Sequence, residues 1–75
     1  MTESEIIAGV ADALAIPAHR LTADSTPADI PEWDSMGALG IVSLLDRNGI
    51  KLNPGEALQL ASVRGIIEMF RSAGR

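Results

Sequence analysis

The chain has 75 residues, a length near the lower limit for a self-sufficient core, and we expect one domain over residues 1–75. With 47% apolar residues, one tryptophan, one phenylalanine and no cysteine, the composition excludes disulfides and thiolate metal sites and predicts an aliphatic core. The net charge of -4 argues against nucleic-acid and membrane partners, and without a basic signal-peptide start or a long apolar run we expect a cytoplasmic protein.

The first segment with helical periodicity predicts a helix over residues 3–15. Thr2 and Glu5 have the spacing of a capping box, and Pro17 prevents further extension. The residues expected to face the core are Ile7, Val10, Ala11 and Leu14.

A long connection follows over residues 16–34, with three prolines and a polar stretch. At 19 residues it exceeds the usual loop of a small domain. We therefore expect it to be an ordered arm, held to the helices by Leu21, Ile30 and Trp33.

The second helix is predicted over residues 35–47, capped by Asp34 or Ser35 and ended by Asn48 and Gly49. Its inward face comprises Ala38, Ile41, Val42 and Leu45. Its outward face would then carry Met36, Leu39, Gly40, Ser43 and Arg47, where glycine keeps the surface smooth.

Two further helices are predicted over residues 54–59 and 62–72. The short helix would begin with Asn53 as its cap, followed by a first-turn proline, Pro54, and an acid at the third position, Glu56. Ser62 would cap the last helix. The last helix would bury Val63, Ile66, Ile67 and Phe70. The fold class is all-α: a four-helix bundle with three main helices and one short helix.

Ser35 is the candidate functional residue. A serine at a helix start is commonly only a cap, but here Met36 and Leu39 would lie exposed beside it, and such a patch is typical of a docking surface. The positive end of the helix dipole and its unpaired amides would favour a phosphate ester at this position.

The residues suggest three other functions for comparison. A helical interaction module could use the same patch with Ser35 unmodified. A hydrolase built on Ser35, His19 and an aspartate lacks the Gly-x-Ser-x-Gly pattern, and DNA binding is disfavoured because the basic residues are scattered. We assign no catalytic and no metal-binding residue.

The Asp34-Ser35-Met36 triplet at the start of the second helix, together with the helix order, resembles the acyl carrier protein family, including its peptidyl and D-alanyl carriers. The resemblance covers nearly the whole chain. Met36 stands where leucine is usual, and the run from Asp34 to Gly37 is similar to that of some D-alanyl carriers.

The resemblance implies that Ser35 receives 4′-phosphopantetheine from coenzyme A through a phosphopantetheinyl transferase, with Asp34 supporting the reaction near the magnesium of that enzyme. Acyl or aminoacyl groups would be carried as thioesters between activating and transferring enzymes by a monomeric, non-enzymatic protein. The positions that match the partner-binding surface are Met36, Leu39, Gly40 and Ser43.

The predicted second helix departs from fatty-acid-type carriers in its charge. After Asp34 its only acid is Asp46, so the acidic surface that meets basic enzyme patches is mostly missing. This favours a specialised pathway for secondary metabolites or amino acids, and docking that is apolar and weakly salt-dependent.

Overall fold

The computed structural model describes residues 1–74, and within that range it contains four α-helices and no strand. The helices are α1 (Glu3–Ala13), α2 (Ser35–Arg47), α3 (Pro54–Leu58) and α4 (Val63–Ser72). The predicted all-α class is confirmed. None of these helices is long and apolar enough to cross a membrane.

Local signals at the helix starts act largely as predicted. Both sides of the Thr2 capping box form, with the Glu5 amide donating to the Thr2 hydroxyl at 3.2 Å and the Thr2 amide donating to Glu5 Oε1 at 2.8 Å. The same reciprocal pair closes at Asn53 and Glu56. Each box satisfies amide groups that have no partner inside the helix.

Helix α1 ends at Ala13, two residues before the predicted Ala15. Ala15 adopts a left-handed backbone with φ of 58°, and the Ile16 amide donates back to the Ala11 carbonyl at 3.0 Å. Helix α2 ends through the same motif, with Gly49 at φ of 78° in the left-handed position. The left-handed residue turns the chain away from the helix while the last carbonyls stay bonded.

One apolar cluster joins the helices and the long connection. Most residues predicted to face inward are buried, but Ile7 and Val42 are only half-buried, whereas Ile6 and Leu44 lie in the core. The inward face of α2 is thus rotated from its predicted position, because Leu44 points toward α1. The buried apolar residues are Ile6, Val10, Ala11, Leu14, Ile16, Leu21, Ala23, Ile30, Trp33, Ala38, Ile41, Leu44, Leu45, Ala57, Val63, Ile66, Ile67 and Phe70.

The long connection is ordered, as predicted, and it contains a 3-10 turn at Ala18–Arg20 that was not predicted. Its expected anchors Leu21, Ile30 and Trp33 are all buried. Leu21 and Ile30 thus fix its middle on the shared core.

The connection also caps α4. The carbonyls of Ser25 and Ala23 accept the first two amides of that helix at 2.9 and 2.8 Å. Ser62 occupies the predicted cap position, but its side chain does not form the capping hydrogen bond. The loop backbone already supplies the acceptors that a capping side chain would offer.

The two left-handed helix ends give a matched prediction. Ala15→Gly is expected to raise the free energy of unfolding by about 1 kcal/mol, because glycine has no Cβ to clash in that conformation. Gly49→Ala is expected to lower it by about the same amount. Urea unfolding followed by circular dichroism measures both, and a loss of stability in Ala15→Gly would contradict the assigned geometry.

Candidate functional site

Asp34 caps α2. Its Oδ1 accepts the amides of Met36 and Gly37, each at 3.0 Å. Of the two residues predicted as possible caps, the aspartate is the one used. Ser35 is the first helical residue, and its side chain is therefore not needed to complete the helix.

The Ser35 side chain is exposed, and its hydroxyl forms no hydrogen bond with any residue of the described part of the chain. The oxygen is thus reachable from solvent and has no local partner to displace. Because Ser35 begins a helix of 13 residues, its backbone is fixed while its hydroxyl is free. This combination suits covalent modification by a second protein.

The surroundings of Ser35 are less favourable to a phosphate than the sequence predicts. The Met36 and Gly37 amides, which could have bound an anion, are already bonded to Asp34. The carboxylate also offsets the positive end of the helix dipole. Because the Ser35 side chain is exposed, a phosphate ester there would project into solvent rather than bind to these amides.

Met36 and Leu39 form an exposed apolar patch beside Ser35. Met36 is 75% exposed and Leu39 is 49% exposed, which confirms the predicted exposure of both. Ser43, one turn further along the helix, is exposed as well. Two large apolar side chains in solvent on one helix face are typical of a surface that another molecule covers.

Gly40 does not lie on that outward patch, although it was predicted there. A Cβ at Gly40 would approach the Ala13 carbonyl oxygen to 2.5 Å, and one at Gly37 would overlap the Glu32 carbonyl and reach the Leu14 side chain at 2.7 Å. Both glycines therefore face inward, where they allow the end of α1 to pack closely on α2. Two glycines three positions apart inside a helix are the sequence signal that could have indicated this contact.

Trp33 and Glu32 hold the chain that enters α2. The Trp33 side chain is 3% exposed, and its Nε1 donates to the Ala57 carbonyl at 3.1 Å, so its predicted role in pinning the loop is confirmed. Glu32 accepts two bonds from the Arg20 guanidinium, at 2.9 and 3.1 Å. The hydrogen bonds from Arg20 lower the pKa of the Glu32 carboxyl below its ordinary value.

Charged and polar groups elsewhere are separate from this site. His19 is exposed on the 3-10 turn. Asp46, at the far end of α2, forms an ion pair with Lys51. An open depression of about 330 Å³ lies between the end of α2 and α3, lined by Val42, Asp46, Lys51, Leu52, Asn53 and Glu56.

No protein-family model, curated protein or solved structure matches the chain. The likeness to acyl carrier proteins therefore depends on the Asp34-Ser35-Met36 triplet and the helix order.

The glycine contact yields a stability prediction. Gly40→Ala is expected to lower the free energy of unfolding by about 1–3 kcal/mol, because the new methyl group meets backbone atoms of Ala13 that cannot move independently. Gly65→Ala is the control, since its Cβ would meet only the flexible Leu60 side chain, at 3.3 Å. Urea titration compares them, and equal stabilities would show that α1 does not approach Gly40 as described.

Proposed function

We propose that the protein is a carrier that is modified with 4′-phosphopantetheine on Ser35 and presents acyl or aminoacyl groups to partner enzymes. It is not itself an enzyme in this proposal, and it acts as a monomer in the cytoplasm. The observation that carries the proposal is the exposed, unbonded Ser35 hydroxyl at a fixed helix start.

The chain contributes a nucleophilic oxygen, the Ser35 hydroxyl, at a fixed and solvent-exposed position. In the transfer from coenzyme A, Ser35 Oγ forms a bond to the phosphorus that bears the pantetheine arm, while the bond from that phosphorus to the departing nucleotide breaks. The hydroxyl proton passes to a base on the transferase. Once attached, the group supplies a terminal thiol on which cargo is held as a thioester.

Asp34 has two functions in this proposal. Through Oδ1 it holds the first turn of α2, which keeps the Ser35 backbone in one conformation. Its carboxylate is also exposed at the surface that the transferase meets, where it can support that enzyme's magnesium. Asp34 forms hydrogen bonds with the Met36 and Gly37 amides but none with the Ser35 hydroxyl, so we assign the base to the partner enzyme.

Partner enzymes would dock on the patch of Met36 and Leu39, with Ser43 at its edge. On α2 itself no acid lies between Asp34 and Asp46, and Asp46 is paired with Lys51. The helix therefore offers little charge for a basic partner surface. This supports a specialised pathway, for secondary metabolites or amino acids, over general fatty-acid synthesis.

The modification is tested by intact-mass spectrometry after incubation with coenzyme A and a broad-specificity phosphopantetheinyl transferase. We expect a gain of one phosphopantetheine in the wild type and no gain in Ser35→Ala. Ser4→Ala, which removes an exposed hydroxyl on α1 outside the patch, is the matched control and should be modified fully.

A wild-type mass that does not change would contradict the proposal. It would favour a helical interaction module that uses the same patch with Ser35 unmodified. A gain that persists in Ser35→Ala would place the modification on another residue.

The patch is tested by the kinetics of the transferase. Leu39→Ala and Met36→Ala are each expected to raise its KM for the carrier about tenfold, because an exposed side chain that becomes buried in a complex contributes about 1–2 kcal/mol. Their thermal midpoints should remain near that of the wild type. KM should also change little between low and physiological salt.

Met69→Ala on α4 is the control for this experiment, because it truncates an apolar side chain outside the patch. A KM unchanged in both patch variants, or an unfolded Leu39→Ala protein, would contradict the assignment of this surface.

A further inference from the structure

The buried hydrogen bond from Trp33 to α3 connects two parts of the chain that are 24 residues apart. Ala57 belongs to the last turn of α3, where backbone carbonyls lack a partner within the helix. The Trp33 indole N–H satisfies this carbonyl, and both residues are buried, at 3% and 0% exposure. No water reaches the bond to replace it, so its loss would leave a buried acceptor unsatisfied.

Helix α3 depends on such contacts for its placement. It has five residues, which is too short to be stable by itself in water. The Asn53 capping box closes its start, and the Trp33 bond holds its end. The position of α3 is therefore tied directly to Trp33.

Trp33 also lies directly beside the start of α2. Its amide donates to the Ile30 carbonyl at 2.9 Å, and the next residue, Asp34, caps the helix. The preceding carbonyl, of Glu32, packs against Gly37. The three residues from Glu32 to Asp34 thus each make a contact that holds the chain leading into Ser35.

We propose that Trp33 is a positioning residue that couples the placement of α3 to the helix start presenting Ser35. A displacement of α3 loosens the Asp34 cap, and a firm cap in turn holds α3 in place. The consequence for modification of Ser35 rests on the proposed carrier function, whereas the coupling itself does not.

Amide hydrogen exchange tests the coupling in the full, unmodified chain. Asn53→Ala removes the cap of α3 and is expected to raise exchange at the Ala57 and Leu58 amides about fivefold. The Met36 and Gly37 amides should then exchange about twofold faster, although Asn53 bonds to neither.

The same substitution is repeated in the Trp33→Phe background, which keeps an aromatic ring but has no N–H donor. Trp33→Phe alone should raise exchange about tenfold at the α3 amides, the factor expected for a lost bond to a buried carbonyl. Adding Asn53→Ala to Trp33→Phe should then cause no further change in the exchange rates of the Met36 and Gly37 amides. Phe70→Leu, a buried aromatic substitution on α4, controls for a general loss of stability.

Two results would overturn the proposal. One is that Asn53→Ala leaves the exchange rates of the Met36 and Gly37 amides unchanged. The other is that Asn53→Ala raises these rates equally in the wild-type and Trp33→Phe backgrounds. The first result decides the matter even if Trp33→Phe does not fold.

With the transferase, Trp33→Phe should lower kcat/KM several-fold at a temperature where Phe70→Leu has no effect. If the wild type is not modified at all, the carrier function fails, and the exchange data still decide the coupling.

Discussion

The close approach of the end of α1 to the first turns of α2 is the contact on which the rest of the structure depends. It is possible because Gly40 has no side chain where the Ala13 carbonyl lies, and Gly37 has none where the Leu14 side chain and the Glu32 carbonyl lie. Once these glycines face inward, the rotation of α2 is fixed, and Met36 and Leu39 must point outward. The exposed patch is thus a consequence of packing on the opposite side of the same helix.

The site combines a rigid backbone with a free side chain. The chain entering α2 is held by the Asp34 cap, by Trp33 and by the Arg20–Glu32 ion pair. The Ser35 hydroxyl, in contrast, forms no hydrogen bond with the described residues. An ordered helix start lowers the conformational entropy that a partner must remove on binding. Much of the acidic charge that gives the chain its net charge of -4 lies in caps and ion pairs away from the patch.

Periodicity and capping residues sufficed to predict the helices, because these signals act within a few residues of each other. They predicted the start of α2 at Ser35 and the capping boxes at Thr2 and Asn53. The α1 end was misplaced because Ala15 adopts a left-handed conformation usual for glycine. The role of Gly40 and the α4 cap depend on backbone contacts between distant segments, which periodicity does not encode.

Tandem mass spectrometry of the protein isolated from its own cells tests the central claim most directly. The account predicts a population in which the peptide containing Ser35 carries phosphopantetheine, attached at that serine and at no other residue. Chains that are uniformly unmodified at Ser35, or modified at a different side chain, would contradict it.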